Sequence, residues 1–304
     1  MTPELVGIGS AVYDTLMLTP GFPAEDTKIR ADTILNQGGG PCTTALAAAS
    51  KLGAQAAFIG AVGDDPAGCF IRDDLQRWGV DTRQLLLRPD STSTQSFVVL
   101  NRENASRTCI AYGGSAAPLS PDELPETLIR EARVLHLDGR SLDAAIAAAK
   151  LARSCGTLVS LDAGRVYPGI DALLPLTDWL IPSEGFVQEF TGEQDAETAA
   201  LRLFREYRMP LLIITQGVRG GFLCLDGQIT RYPAFPVDAV DSNGAGDVFH
   251  GAYLAASLRG YDPLRAARFA SAASALKCRG LGARLHAPTW DAVTAFLRER
   301  DCVL

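Results

Sequence analysis

The sequence predicts an α/β fold, in which helices cover both faces of a mostly parallel β-sheet. From residue 134 onward, short apolar runs of strand character alternate with segments of helical period. Strands and helices that alternate in this way form βαβ units, which place the strands parallel. The 304 residues contain no repeat, low-complexity linker or compositional boundary, so a single domain over residues 1–304 is expected.

The individual elements follow from apolar periodicity and from the glycines and prolines that interrupt it. Strands are predicted at residues 5–9, 56–62, 134–137, 157–161, 179–181 and 211–215. Helices are predicted at residues 43–52, 66–78, 142–155, 196–207, 245–258, 263–277 and 288–300. Asp226 and Gly227 separate two short apolar runs, and this pair favours a type I′ hairpin turn.

Two stretches lack the helical period and indicate a small sheet outside the main body. In residues 92–112, Ser, Thr, Val and Phe alternate around a turn signal at residues 101–104. This pattern is typical of a β-hairpin. Residues 11–36 also lack helical period and can supply further strands.

The composition argues against several classes of partner. Hydrophobic residues make up 47% of the chain, which is ample for a buried core. The formal net charge of −7 repels phosphate backbones and anionic lipid, so neither nucleic acid nor a membrane is expected as a partner. No apolar run reaches the roughly 18 residues that span a bilayer, and no signal peptide is expected at the N-terminus.

The cysteines and histidines do not form a recognisable site. The seven cysteines are odd in number and include no C-x-x-C pair, which favours a reducing, cytoplasmic location over a disulfide framework. His136, His250 and His286 lie far apart and show no zinc spacing. We interpret all three as structural.

The stretch with the most chemical information is residues 240–251, which opens an Ala-rich helix. Gly244, Ala245 and Gly246 carry little or no side chain, so an anion can approach their amides at the helix N-terminus. Asp247 follows at once and can accept the proton of an attacking hydroxyl while the amides stabilise a transferring phosphoryl group. In the alternative interpretation, the glycines form a tight loop and Asp247 only complements the helix dipole.

A second glycine-rich turn, at residues 38–40, precedes the Ala-rich helix at 43–52. Such turns can receive hydroxyls or phosphates, although a plain loop–helix junction is the alternative. The chain has no Walker P-loop, so glycine-rich turns would have to cradle any phosphate. Residues 7–12 lack the third glycine of G-x-G-x-x-G, which argues against a generic dinucleotide-binding protein.

Together these motifs resemble the ribokinase-like (PfkB) carbohydrate kinases. Residues 240–251 are similar to the family signature D-T-x-G-A-G-D-x-F, and residues 37–54 are similar to its N-terminal glycine motif. The resemblance covers essentially the whole chain. It implies a three-layer α/β/α Rossmann-like (ribokinase-like) domain with a small β-sheet lid from about residues 11–37 and 90–114. It also implies an ATP-dependent sugar kinase that uses Mg²⁺ and has Asp247 as its base.

The same resemblance assigns the remaining site residues. Those implied to bind the sugar are Asp14, Lys28, Gly39, Gly40, Thr44, Gln95 and Arg140, where Thr44 replaces the family's sugar-binding Asn. Those implied to bind the nucleotide are Ser183, Glu184, Thr215, Gly217, Gly220, Ala272 and Lys277. Asp241 and Asn243 fall where family members often hold a monovalent cation such as K⁺. The family's Mg²⁺-organising N-x-x-E motif is altered at Ser183 and Phe186, and Glu184 can substitute.

Two branches of the family share further motifs with this chain. The glycine motif, Ser183–Glu184 and residues 248–251 resemble sulfofructose kinases, whereas residues 22–30 and 136–141 also resemble ketohexokinases. Both comparisons imply a ketohexose in furanose form, with transfer to a primary hydroxyl. Lys28 and Arg140 are candidates to bind an anionic tail of the substrate. Ala111 stands where the sulfofructose kinases have an Asn, so that recognition set is incomplete.

Two further expectations concern the class of protein and its assembly. A non-catalytic sugar or nucleoside sensor on the same fold is the competing class, because the residues 183–186 motif is altered. The intact Gly244–Asp247 unit favours the enzyme, since a sensor has no need for a base at the phosphate turn. Because lid sheets have exposed edges and faces, a homodimer through the lid is also expected.

Overall fold

A computed structural model describes residues 3–103 and 106–302. The strands are β1 (Leu5–Ile8), β2 (Val12–Thr19), β3 (Thr33–Gly39), β4 (Ala56–Gly63), β5 (Asp81–Arg88), β6 (Gln95–Asn101), β7 (Arg107–Tyr112), β8 (Val134–Leu137), β9 (Leu158–Ala163), β10 (Trp179–Pro182), β11 (Leu211–Thr215), β12 (Gly221–Leu225) and β13 (Gln228–Tyr232). The helices are α1 (Pro41–Lys51), α2 (Pro66–Arg77), α3 (Glu126–Glu131), α4 (Leu142–Cys155), α5 (Glu184–Thr191), α6 (Ala196–Tyr207), α7 (Ala245–Leu258), α8 (Pro263–Lys277) and α9 (Trp290–Arg298).

The central sheet has nine strands in the order β13-β12-β11-β10-β9-β8-β1-β4-β5. Every pair from β11 to β5 is parallel, and β12 and β13 are added as an antiparallel hairpin. Asp226 and Gly227 connect this hairpin with φ values of +51° and +76°, as the predicted type I′ turn requires.

Two apolar cores lie on opposite faces of this sheet. Neighbouring residues of β1 show the division, because Leu5 packs into one core and Val6 into the other. The first core also holds apolar side chains from α1, α7, α8 and α9, and the second holds those from α3, α4, α5 and α6. The three layers of the predicted α/β/α fold are therefore present.

A second sheet of four strands, in the order β3-β2-β6-β7, forms from the stretches predicted to build the lid. Its strands β2 and β6 pair in parallel, and the two outer pairs are antiparallel. The turn predicted at residues 101–104 includes Asn104, which lies outside the described residues. Arg107 on β7 reaches the main body, where its Nη1 donates to Ser242 Oγ at 3.4 Å.

The remaining differences from the sequence prediction have local causes. The last helix begins at Trp290 instead of residue 288, because the Thr289 side chain accepts from the amide of Ala292 and caps it there. Strand β5 and the short helices α3 and α5 were not predicted, since none of them has a long apolar period. Within residues 3–103 and 106–302, none of the helices combines the length and apolarity needed to cross a bilayer.

Candidate active site

Polar residues, among them the predicted site residue Ser183, lie where the parallel strands end. Ser10, Asp138, Ser183 and Gln216 lie one or two residues beyond the carboxyl ends of β1, β8, β10 and β11, and Asp162 is the penultimate residue of β9. Open α/β sheets bind ligands at this edge, because the carboxyl ends of neighbouring strands and the loops that follow them form a crevice.

The turn before α7 provides backbone amides for an anion. Gly244 has a φ of +73°, and a Cβ added to it would lie 2.6 Å from the carbonyl oxygen of Ala283, so a side chain does not fit. A Cβ added to Gly246 would meet no atom within 4 Å, so this side of the turn is open. The amides of Gly246 and Asp247 have no hydrogen-bond partner among the described residues. They are therefore free to bind a phosphate.

Asp247 lies in the first turn of α7, beside these amides. Burial, and then the negative charge of Asp162, raise its pKa to about 7. A carboxylate with a pKa near 7 can take a proton from a hydroxyl at neutral pH and remain ionised often enough to do so. The environment of Asp247 therefore suits the predicted role of a base.

A buried pair of charged residues stands behind Asp247. His250 follows Asp247 by three residues on the same helix face, and its Nε2 lies 3.2 Å from Oδ1 of Asp162. Burial by itself would lower the pKa of His250, but the Asp162 carboxylate raises it above its usual value. His136 packs 5.6 Å from the His250 ring, and burial lowers the pKa of His136 to about 3. The interpretation of His250 as merely structural overlooked this pairing, which joins residues far apart in the chain.

The sugar side of the crevice is formed by the lid and the glycine turn. Asp14 on β2 accepts a hydrogen bond from Ser96 Oγ at 2.6 Å, and burial raises the pKa of this carboxyl. A Cβ added to Gly39 would lie 2.0 Å from the Asp14 carboxylate, so only glycine allows this approach. Asp14 and Gly39 are thus brought together as predicted, and Ser96 is a residue that the prediction missed.

Asp138 joins the ends of three elements. Its carboxylate accepts from the amides of Ser10 at 2.7 Å, Cys42 at 3.2 Å and Arg140 at 3.1 Å. Burial raises the pKa of Asp138 to about 6. Asp138 fixes the end of β1 and the start of α1 at the crevice. This role was not predicted, because the three amides come together only in the folded chain.

A buried arginine lies beneath the glycine turn. Arg284 is 1% exposed and donates to the carbonyl of Gly39 at 3.0 Å and to Thr43 Oγ1 at 3.2 Å. Its guanidinium lies 3.4 Å from the Asp74 carboxylate, and its charge lowers the pKa of both Asp14 and Asp247. Sequence reasoning missed Arg284 because its partners are more than 200 residues away.

The nucleotide side is built from β10, β11 and their loops. Ser183 caps α5 by accepting from the amide of Phe186 at 3.1 Å. Glu184 accepts from Gln216 Nε2 at 2.9 Å and pairs with Arg219, so it lies against the loop that holds Gly217 and Gly220. Thr215 forms an isolated bridge with Ser183. The predicted residues of this region, apart from those on α8, therefore form one group.

Four of the predicted residues are not positioned to contact a ligand directly. Ala272 and Lys277 on α8 have no exposed surface, so neither can touch a nucleotide in this conformation. Thr44 is also fully buried, and its hydroxyl has no partner among the described residues. Gln95 pairs with Tyr13 and therefore points to the opposite face of the lid from the adjacent Asp14–Ser96 pair.

The two candidates for an anionic tail lie on the surface. Lys28 is exposed in the connection between β2 and β3. The Arg140 guanidinium stacks 4.0 Å from the centre of the Tyr167 ring and donates to its hydroxyl at 3.1 Å. Arg140 follows Asp138 closely in the chain and is therefore near the crevice, whereas no contact links Lys28 to it among the described residues.

The residues expected to hold a monovalent cation do not fit one. The carboxylate oxygens of Asp241 accept from the amides of Asn243 at 2.8 Å and Gly282 at 2.9 Å. The Asp241 carbonyl accepts from Lys277 Nζ at 2.6 Å. Each of these oxygens thus has one protein donor, and the donor on the carbonyl is an ammonium, which already lies where the cation was expected. The structure does not support a free cation on Asp241 and Asn243.

Over nearly its whole length the chain is similar to known sugar and nucleoside kinases. A model of the pfkB family of carbohydrate kinases matches residues 2–290. An ATP-dependent ribose-1-phosphate kinase of Halopiger xanaduensis is 30% identical over 98% of this chain and 99% of that protein. A nucleoside kinase of Methanothermobacter thermautotrophicus is 26% identical over 96% of this chain and 95% of that protein. Arabidopsis thaliana ribokinase, solved with ribose and ATP, has a TM-score of 0.85 at 26% identity over 98% of this chain and 99% of that one. The likeness confirms the predicted fold class.

Proposed function

Because the chain belongs to the pfkB family of carbohydrate kinases, we propose that it transfers the γ-phosphate of ATP to a primary hydroxyl of a furanose sugar, with Asp247 as the base. The observation that carries the proposal is the position of Asp247. This carboxylate has a pKa raised to about 7 and adjoins the open amides of Gly246 and Asp247 at the start of α7. The base and the amides that would bind the phosphate thus lie in the same helical turn. Phosphoryl transfer requires the attacking hydroxyl and the γ-phosphate to meet between such groups.

The reaction needs only positioning, one proton transfer and charge stabilisation. The Asp247 carboxylate takes the hydroxyl proton as the sugar oxygen attacks the γ-phosphorus and the bond to the β-phosphate oxygen breaks. The amides before and within the first turn of α7 stabilise negative charge on the transferring group. The lid contacts this turn, since Arg107 on β7 donates to Ser242. A lid closed over the turn would exclude water from the reaction.

Mg²⁺ would enter with ATP. Among the described residues no cluster of three or more His, Cys, Asp or Glu side chains can hold a metal ion. Glu184 keeps acceptor capacity beyond its bonds to Gln216 and Arg219, so it fits a water of a phosphate-bound Mg²⁺. The ion would neutralise charge that develops between the β- and γ-phosphates.

The expected acceptor is a ketohexose, on the strength of the motifs shared with ketohexokinases. Asp14, held by Ser96 and facing the crevice from the lid, is the residue that would bind its hydroxyls. A coupled ADP-release assay with MgATP and a panel of fructose, tagatose, ribose, deoxyketogluconate and adenosine tests this proposal. We expect faster turnover with a ketohexose than with the other acceptors. Turnover with adenosine alone would show that the acceptor is a nucleoside and not a sugar.

A substrate with an anionic tail is the second candidate. Arg140 favours it, because its exposed guanidinium is held in place on Tyr167 near the crevice, and a guanidinium binds sulfonate or phosphate bidentately. The relative that acts on ribose 1-phosphate also has an anionic substrate. Sulfofructose, fructose phosphates and ribose 1-phosphate therefore belong in the same panel.

Replacing Arg140 or Lys28 by Ala should weaken only the substrates with an anionic tail. Loss of one charge-assisted contact is expected to raise their KM about tenfold or more and to leave the KM of neutral fructose unchanged. Steady-state kinetics of both variants on fructose and on a fructose phosphate measure this difference. An equal loss on both sugars would show that these residues do not bind the tail.

Activity should fall on the acid side of neutrality. Because the base must be unprotonated and the pKa of Asp247 is about 7, kcat/KM should fall about tenfold per pH unit below that value. The positive charge of His250 lowers the pKa of Asp247, so His250→Asn should move this limb to higher pH. His286→Asn is the matched control, since His286 is exposed and bonds to Leu281. A limb that stays in place in the His250 variant would contradict the coupling.

The outer face of the lid fits a homodimer. Phe97 and Ile110 pair across β6 and β7 and are 42% and 56% exposed, and Ile34 on β3 is 63% exposed on the same face. Ile110→Glu should place a charge in this interface and convert a dimer to a monomer in sedimentation velocity. Leu225→Glu, at a similarly exposed position on β12, should leave the assembly unchanged. A wild-type monomer would refute the proposal.

A further inference from the structure

A buried lysine lies beneath the phosphate turn. Lys277 is the last residue of α8 and has no exposed surface. Its Nζ donates to the carbonyl oxygen of Asp241 at 2.6 Å, and Asp241 precedes the turn glycine Gly244 by three residues. Lysines are almost never fully buried without a partner or a function, because desolvation of an ammonium is costly.

The surroundings of Lys277 form a closed network. Cys278, the next residue, accepts from the amides of Val240 at 2.7 Å and Asp241 at 3.1 Å. The Asp241 carboxylate in turn binds the amides of Asn243 and Gly282 at 2.8 and 2.9 Å. These hydrogen bonds hold the segment before the phosphate turn against the end of α8, and the Lys277 ammonium lies at this contact.

The charges that face this ammonium are of both signs. Burial lowers the pKa of Lys277, and the Arg107 guanidinium on the lid acts in the same direction, whereas the carboxylates of Asp241 and Asp247 stabilise its protonated form. A second monovalent cation among the same oxygens would meet the ammonium at short range, where protein screens the repulsion far less than water does.

We propose that the Lys277 ammonium is the built-in cation of the phosphate turn, so that this protein needs neither K⁺ nor another monovalent ion. The ammonium draws the Asp241 carbonyl inward and fixes the strand-to-helix connection that presents the amides of α7. It also places a positive charge near a turn that receives anionic phosphate. The activity readout of this inference rests on the proposed kinase function, but a readout of ion binding does not.

The first experiment compares wild-type protein in choline chloride with protein in KCl, NaCl or NH₄Cl at equal ionic strength, always with MgCl₂. Bound ligands raise the melting temperature, so a protein that takes no monovalent ion should show no K⁺-specific shift. With MgATP and the sugar that the panel selects, kcat and KM should change less than about twofold, well under the 1.4 kcal/mol that a tenfold effect represents. A K⁺-specific rise in melting temperature, or activation by K⁺ alone, would overturn the proposal.

The second experiment removes the ammonium. Lys277→Met keeps the length of the side chain but not its charge, and it should lose at least about tenfold in kcat in choline chloride. Part of this loss should return with K⁺ or NH₄⁺, and the melting temperature of the variant should become K⁺-dependent. Lys150→Met, at an exposed position of α4, is the matched control and should behave as wild type in every salt. A Lys277→Met protein that is fully active in choline chloride would overturn the proposal.

The outcomes separate this inference from the proposed function. If Lys277→Met does not fold, the wild-type comparison of melting temperatures and activities across salts still decides the question. If the wild type phosphorylates nothing in the panel, the proposed kinase function fails. The comparison of melting temperatures in K⁺ and in choline chloride then still tests whether the protein binds a monovalent cation or relies on Lys277 instead.

Discussion

Asp247→Asn is expected to reduce kcat by about 10³-fold or more while the sugar and ATP still bind. The amide keeps the size and shape of the carboxyl group, so the turn and the buried Asp162–His250 pair behind it should remain in place. It cannot take the proton of the attacking hydroxyl. Steady-state kinetics measure the loss, and calorimetric titration with the sugar measures the retained binding.

The control for this variant is Asp291→Asn. Asp291 lies in the first turn of α9, as Asp247 lies in the first turn of α7, so both carboxylates complement a helix dipole. The Asp291 variant should keep wild-type kcat. Near-wild-type turnover of the Asp247 variant would show that its carboxylate only stabilises the helix and that the base lies elsewhere.

Gly244→Ala is expected to have the second-largest effect, on both stability and activity. With a φ of +73° and the Ala283 carbonyl 2.6 Å from an added Cβ, the alanine would be strained and would push the turn away from residue 283. A left-handed conformation alone costs roughly 1–2 kcal/mol for a residue with a Cβ, so the melting temperature should fall by several degrees. Displaced amides should also lower kcat/KM by about 10²-fold.

Gly246→Ala distinguishes phosphate binding from folding. A Cβ at residue 246 would meet no atom of the protein, so the melting temperature should stay near that of the wild type. It would extend into the open side of the turn, where the phosphate is expected, and should raise the KM for ATP. If the Gly246 variant were as active as the wild type, the phosphate would have to bind elsewhere.

The sequence predicted the fold and the glycine turn at the start of α7 because both are encoded locally. Alternating strands and helices from residue 134 onward specified the parallel sheet, and α4, α6, α7 and α8 begin and end where they were predicted. Gly244 and Asp247 are informative because the glycine conformation, the helix start and the carboxylate lie within four residues of one another. Because these features are adjacent in the sequence, they can be recognised without knowing the fold.

The residues that sequence reasoning missed depend on long-range contacts. Asp162 becomes relevant only because β9 brings it to His250, which is 88 residues later in the chain. Arg284 has no local signal at all, since its partners Gly39 and Thr43 lie near the other end of the chain. The interpretation of Lys277 as a nucleotide contact could not anticipate that α8 turns its ammonium into the protein, onto Asp241.

Strand register explains one further difference. Gln95 and Ser96 are adjacent, and the sequence alone could not say which of them faces the crevice. The pairing of Ser96 with Asp14, and of Gln95 with Tyr13, decides it in favour of Ser96. A shift of one residue would have reversed the two faces of the strand.

The most direct test of the account is mass-spectrometric detection of a phosphorylated sugar after incubation with MgATP and each member of the panel. We predict one sugar monophosphate from the wild type, formed in equal amount to ADP, and none above background from Asp247→Asn. Wild-type protein that binds a sugar in calorimetry but yields no phosphosugar and no ADP would contradict the account and identify a sensor.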